Sequence, residues 1–99
     1  MKVEVIEPRA NKGFKRDPKG FFVIRIENEK IIVEHYKRAK RKLNLIIEGR
    51  DGESIYHTIV DKGLLSLCTH GFYLGMELAK AEHCLKNKKH YVQDGEPNG

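Results

Sequence analysis

The chain has two cysteines, three prolines and no tryptophan in 99 residues, and a single glutamine, Gln93. Two cysteines are too few for a disulfide framework. If Cys68 and Cys84 lie on one helix, they stand about 24 Å apart along its axis at about 1.5 Å per residue, which forbids a bridge between them. Free thiols fit a reducing compartment. Long apolar runs are also missing, since nothing approaches the roughly 20 residues needed to cross a bilayer. The opening Met1-Lys2-Val3-Glu4-Val5-Ile6-Glu7 carries acids where a secretory signal has its apolar segment. These absences predict a cytoplasmic protein with no membrane role. The Lys- and Glu-rich, Gln-poor balance is one associated with proteins from hot environments, so a thermophilic source is expected.

Catalytic signatures are absent as well. No Gly-rich phosphate loop follows a strand, no paired-Cys motif occurs, and no Ser lies in a nucleophile-elbow setting. Cys68-Thr69-His70 does not match half of a zinc finger. His83-Cys84 lies three to four turns farther along the same helix, beyond the roughly 2 Å reach of a shared ion, so no metal site is expected. No internal repeat is found.

What is there describes one compact α+β domain over residues 1–94, followed by a tail, 95–99, without a packing residue. Apolar residues make up 39% of the chain. Met1 to Glu7 reads as an edge strand and Pro8 to Lys19 as a loop. Phe21 to Glu27 and Lys30 to Tyr36 form a β-hairpin through Asn28-Glu29, where Asn tolerates the left-handed conformation of a tight turn. Leu43 to Glu48 adds a strand with Leu43, Leu45 and Ile47 on one face. Asp51 caps a helix from Gly52 to Lys62 closed by Gly63. A longer helix runs from about Ser66 to Lys88 and buries the stripe Leu67, Gly71, Leu74, Leu78, Ala81 and Leu85. The fold class is therefore α+β, with a three- or four-stranded antiparallel sheet packed by two C-terminal helices. Phe21, Val23 and some of Ile31, Ile32 and Ile46 are left over for the other sheet face, and that surplus predicts a homodimer.

Two features carry the functional reading. Gly71 and Gly75 sit four apart on the long helix, and each costs about 0.5–1 kcal/mol relative to Ala, so a backbone contact or a ligand is expected against them. His70, Tyr73 and Glu77 share one side of that helix, where they are either the solvated shoulder of an amphipathic helix or a polar trio able to orient a ligand or move a proton. The net charge of +5 is concentrated in Lys37-Arg38-Ala39-Lys40-Arg41-Lys42. Between two strands such a cluster is ordinarily a solvated turn; the other reading is contact with phosphate or nucleic acid.

Asp17-Pro18-Lys19-Gly20-Phe21-Phe22, the helix segment His70-Gly71-Phe72-Tyr73-Leu74-Gly75-Met76-Glu77-Leu78-Ala79-Lys80-Ala81-Glu82, and Tyr91-Val92-Gln93-Asp94 together resemble a small domain of unknown function. That domain is common in methanogenic and related archaea, alone or joined to domains similar to dihydropteroate synthase or to one of the subunits of the tetrahydromethanopterin methyltransferase. The resemblance spans about Asp17 to Asp94. It implies a context in pterin-dependent one-carbon metabolism, carries over no established activity, and points to His70, Tyr73, Glu77, Tyr91, Gln93 and Asp94 as ligand-binding positions. Gly71 stands where that pattern has a small residue such as Ala, a departure that weakens any argument for glycine itself at that position.

The leading expectation is an accessory or ligand-binding module whose partners are a pterin-related small molecule or a one-carbon enzyme. The alternatives are a small enzyme with His70 as acid or base and Glu77 as its orienting partner, or a nucleic-acid binder working through Lys37 to Lys42.

Overall fold

In the computed structural model, four strands precede two helices: β1 (Lys2–Val5), β2 (Phe21–Glu27), β3 (Lys30–Tyr36), β4 (Leu43–Gly49), α1 (Gly52–Asp61) and α2 (Cys68–Lys86). The structure describes residues 1–5, 20–37, 42–65 and 68–93. The expected loop over 8–19, residues 38–41 of the basic cluster and the tail at 95–99 lie outside them. The strands form one antiparallel sheet in the order β1-β4-β3-β2, which is the expected α+β class with four strands.

The β2–β3 hairpin turns through Asn28 and Glu29, both left-handed at φ 53° and 60°. That is the twist a two-residue turn needs to continue the right-handed twist of its strands. Register then follows from Glu27 opposite Lys30 to Phe21 opposite Tyr36. At the β3–β4 connection, the Lys37 N–H donates to the Lys42 carbonyl at 2.7 Å, closing the chain around the basic cluster.

Alternation along the strands divides the sheet into two buried faces. Phe22, Ile24, Ile31, Val33, Leu45 and Ile47 pack with Ile55 and Ile59 of α1 and Leu74, Leu78 and Ala81 of α2 in the main core. Leu43 does not join them as the alternation predicts. The pairing shifts between His35 and Tyr36, so that His35 faces Leu45 while Tyr36 faces Leu43. A bulge of this kind inserts one residue and reverses the side-chain alternation beyond it. Leu43 thus packs on the reverse face with Phe21 and Tyr36, whose rings stack at 5.0 Å.

The reverse face also corrects the basis of the predicted dimer. Phe21 and Ile32 are only 2% and 6% exposed in the single chain, Val23 and Ile46 are half-buried, and Ile31 belongs to the helix-facing core. Among the described residues the exposed large apolar side chains, Met1, Val3, Val60, Met76 and Val92, come from other parts of the surface. The apolar sheet face that called for a second copy is already buried.

Asp51 caps α1 as predicted, accepting from the Glu53 N–H at 3.0 Å and from the Ser54 hydroxyl at 2.9 Å. Beyond α1, Gly63 takes the left-handed conformation, φ 69°. On α2, Leu74, Leu78 and Ala81 are buried and Leu85 half-buried, so over these positions the predicted stripe is the packed face. Its last turn closes when the Lys89 N–H donates to the Cys84 carbonyl at 2.8 Å, with Lys88 left-handed at φ 55°. Cys84 is a free, buried thiol. Among the described residues no helix is long and apolar enough to cross a membrane.

The close approach between the helices is not at Gly75. A Cβ on Gly75 would lie 3.7 Å from the Tyr56 ring, an ordinary contact. A Cβ on Gly52, the first residue of α1, would lie 2.9 Å from the Leu78 carbonyl oxygen on α2. Gly52→Ala should therefore push α1 away and destabilise the domain by about 1–3 kcal/mol. Gly75→Ala should stabilise it by about 0.5–1 kcal/mol through helix propensity. Urea denaturation of the two variants checks both signs.

Candidate functional site

Four of the six predicted ligand positions meet in the seam between α2 and the free edge of β2. After α2 ends, residues 91–93 run back along it, placing Tyr91 beside Glu77 and Gln93 beside Tyr73. The Tyr91 hydroxyl donates to Glu77 Oε1 at 2.6 Å, and Gln93 Nε2 donates to the Tyr73 hydroxyl at 2.6 Å. Lys80 Nζ donates to the Val92 carbonyl at 3.0 Å and lies 5.7 Å from the centre of the Tyr91 ring.

Gln93 also closes the edge of the sheet. The Ile24 N–H donates to Gln93 Oε1 at 2.9 Å, and Gln93 Nε2 donates to the Phe22 carbonyl at 3.2 Å. One side-chain amide thus pairs with two outward peptide groups of β2, as a fifth strand would. These three bonds fix which end of the amide is oxygen, because a peptide N–H needs the acceptor and a carbonyl needs the donor. Glu77 is 5%, Gln93 8% and Tyr91 9% exposed, so the network is a buried one. Glu77 is accordingly no solvated shoulder residue. Its carboxylate is held in the protein by a phenol, and any orienting role for it starts from that bond. Of the remaining two positions, the backbone of His70 lies in the first turn of α2, while its side chain and all of Asp94 lie outside what the structure describes.

A second polar group, which the sequence reading missed, lies on the reverse face. Glu34 is 5% exposed, accepts from the Tyr36 hydroxyl at 2.9 Å, and pairs with Arg25 Nη1 at 3.1 Å. Arg25 and Glu34 are diagonal neighbours on adjacent strands, close enough for long side chains to meet. The available signal was a carboxylate inside the apolar run Ile31-Ile32-Val33-Glu34. On the helix side His35, 2% exposed, places Nδ1 3.2 Å from Asn44 Nδ2 and its ring against Phe22. Among the described residues no group of three or more His, Cys, Asp or Glu side chains could hold a metal ion.

A third arrangement joins the two helices. Glu82 of α2 accepts from the Gly52 N–H at 2.7 Å, and its other oxygen pairs with Lys86 Nζ at 2.7 Å. The carboxylate thereby meets the positive end of α1 from outside that helix. Beside it opens a cleft of about 280 Å³ lined by Gly52, Glu53, Tyr56, Gly75, Leu78, Ala79 and Glu82. No local sequence signal links Glu82 to Gly52, which lie 30 residues apart.

An α+β domain with a clasped sheet edge and a helix-pair cleft is what the fold and its polar groups define. The chain belongs to the family described as PterinBD-DUF4346, which it matches over residues 16–94. It is 41% identical over 76 residues to the uncharacterized protein MJ0107 of Methanocaldococcus jannaschii, a match covering 76% of this chain and 14% of that protein. The chain thus spans about a seventh of the length of the curated relative it matches. No solved structure matches it.

Two outcomes follow from the site's bonds. Gln93→Ala should cost about 1–3 kcal/mol, because it leaves a buried N–H and carbonyl of β2 without their partner. Hydrogen exchange at the Ile24 amide should become fast in that variant while amides in the β3–β4 ladder stay protected. The second outcome concerns acid. Asp51 titrates below the ordinary aspartate value, chiefly through the Ser54 hydroxyl and then the Glu53 N–H, and Glu82 below the ordinary glutamate value, chiefly through Lys86 and then the Gly52 N–H. A carboxylate with a depressed folded pKa stabilises fully above its unfolded pKa and loses that contribution as pH falls through the folded one. The melting temperature should therefore fall between about pH 5 and 2, and Asp51→Asn with Glu82→Gln should flatten that slope.

Proposed function

We propose that the domain is a non-catalytic, ligand-binding module that serves pterin-linked one-carbon chemistry in the cytoplasm, as one part of a larger assembly. The observation that carries this reading is the family match over 16–94, whose description ties the domain to pterin binding. The small share of the archaeal relative that the chain spans supports the modular part of it. The geometry favours a module over an enzyme. Tyr73, Glu77, Tyr91 and Gln93 bond one another and the β2 backbone, an arrangement that orders a fold rather than holding a proton donor and acceptor ready for a substrate.

The test is calorimetric and thermal titration of the purified domain with pterin. A ligand that binds only the folded state adds about 1.4 kcal/mol at tenfold excess over Kd. In a domain of this size that raises the melting temperature by roughly 5–10 °C. The reading predicts such a shift with pterin and none with single-stranded RNA at physiological salt. A domain indifferent to pterin, or one stabilised by RNA in a salt-sensitive way, would sink it.

A further inference from the structure

The two edges of the sheet differ in how they end. On β2, Gln93 meets the outward peptide groups of Phe22 and Ile24. On β1, at the opposite edge, no strand of the described residues lies outside Lys2–Val5. The pairing of β1 with β4 runs from Lys2 opposite Glu48 to Val5 opposite Leu45 without a bulge, and β1 contains no proline. Prolines, bulges and covering segments are the means by which edges are blunted, and an edge without them is a template for another strand.

Which groups of β1 face outward follows from one row of residues across the sheet, Ile24, Val33, Ile47 and Val3. In an antiparallel ladder the N–H and C=O of one residue turn to the same side, and facing residues alternate between bonded and non-bonded pairs. The Ile24 N–H turns to Gln93, away from Val33. Val33 and Ile47 are therefore a bonded pair, and Val3 turns its N–H and C=O away from Ile47, out of the sheet. Alternation gives Val5 and the Met1 carbonyl the same direction. The side chains of Met1 and Val3 are 60% and 38% exposed. Glu48, across from Lys2 on β4, is paired with Lys30 at 3.6 Å, and the exposed Lys2 ammonium has no partner among the described residues.

We propose that the β1 edge is a self-association surface, on which a second copy of this chain adds its own β1 antiparallel about a two-fold axis at Val3. Set against itself in that register, Met1-Lys2-Val3-Glu4-Val5 places Val3 opposite Val3, Lys2 opposite Glu4 and Met1 opposite Val5. Apolar residues meet apolar residues and each cation meets an acid, twice over by symmetry. The peptide groups agree, because Val3 with Val3 and Met1 with Val5 are pairs of outward-facing residues. Moving the axis to Lys2 or to Glu4 sets Lys2 against Lys2 or Glu4 against Glu4, so charge selects the register centred on Val3. The product is a continuous eight-stranded sheet with a Gln93 clasp at each end. Its interface is separate from the reverse sheet face, which the single chain already buries. A strand pair of this length is small against the roughly 1,200–2,000 Å² of stable interfaces, so the dimer forms at high protein concentration.

Sedimentation equilibrium up to about 1 mM chain measures it. Wild type should approach twice the 11.5 kDa of the single chain. Lys2→Glu and Glu4→Lys each set like charges across the axis and should each weaken association about tenfold or more. Mixed in equal amounts, the two variants should regain wild-type association, because the acids of one then meet the lysines of the other. That recovery also shows β1 still in place in the Lys2→Glu chain, where Glu48 lies across from the substituted position. Val3→Pro removes an outward N–H while leaving the ladder to β4, and should abolish the dimer with helical circular dichroism unchanged. A wild type that stays monomeric at about 1 mM, a dimer that survives all three substitutions, or a mixture of the charge variants that associates no better than either alone would overturn the proposal.

Discussion

The free edge of β2 is the constraint around which the rest of this domain is arranged. A strand at the edge of a sheet presents peptide groups with no strand to meet them, and buried groups of that kind are expensive to leave unpaired. Gln93 meets two of them with one amide. To do so the chain must reverse after α2 and lie in the seam between helix and sheet, which is why Lys88 adopts a left-handed turn and why Tyr91 comes down beside Glu77. The edge is therefore closed by a segment that is not a strand, and the same segment ties α2 to β2. Two hydrogen-bonded pairs lie side by side there, Tyr91 with Glu77 and Gln93 with Tyr73, and buried polar groups of this kind specify a unique arrangement only when they are satisfied.

Two strands in from that edge, the organising feature is the bulge at Asn44. It turns Leu43 to the reverse face, where it completes the Phe21–Tyr36 stack, and it brings Asn44 to His35. Gly20 is fitted to the same corner. Its φ of 122° is open to glycine, and a Cβ there would lie 2.0 Å from the Tyr36 carbonyl oxygen. The glycine that resembles part of a family motif is thus required by a backbone crossing.

The helix pair depends on a different close approach. Gly52 lets the start of α1 touch the Leu78 carbonyl, and Glu82 strengthens the contact by accepting the Gly52 N–H. α1 is consequently capped twice, by Asp51 in its own chain segment and by Glu82 from its neighbour. Beside that contact Gly75 and Ala79 line an open cleft.

The sequence by itself determined the elements and the class. Period-two and three-four apolar spacings, the Asn28-Glu29 turn, the Asp51 cap and the Gly63 stop are local signals, written within a few residues of where they act. They yielded the hairpin, both helices and a sheet with two apolar faces. Tyr73 and Glu77 were legible from their spacing on one side of the long helix, whereas Tyr91 and Gln93 were named only through a resemblance. What only the tertiary structure decided is how those residues meet: that Gln93 reaches across 69 residues to Ile24, that Glu77 is buried rather than solvated, that Gly52 and not Gly75 is the tight contact, and that the reverse face is closed in a single chain. Each of these joins segments far apart in the chain. Local pattern carries no information about which distant peptide group a side chain will satisfy, because that choice is made by the packing of whole elements against one another.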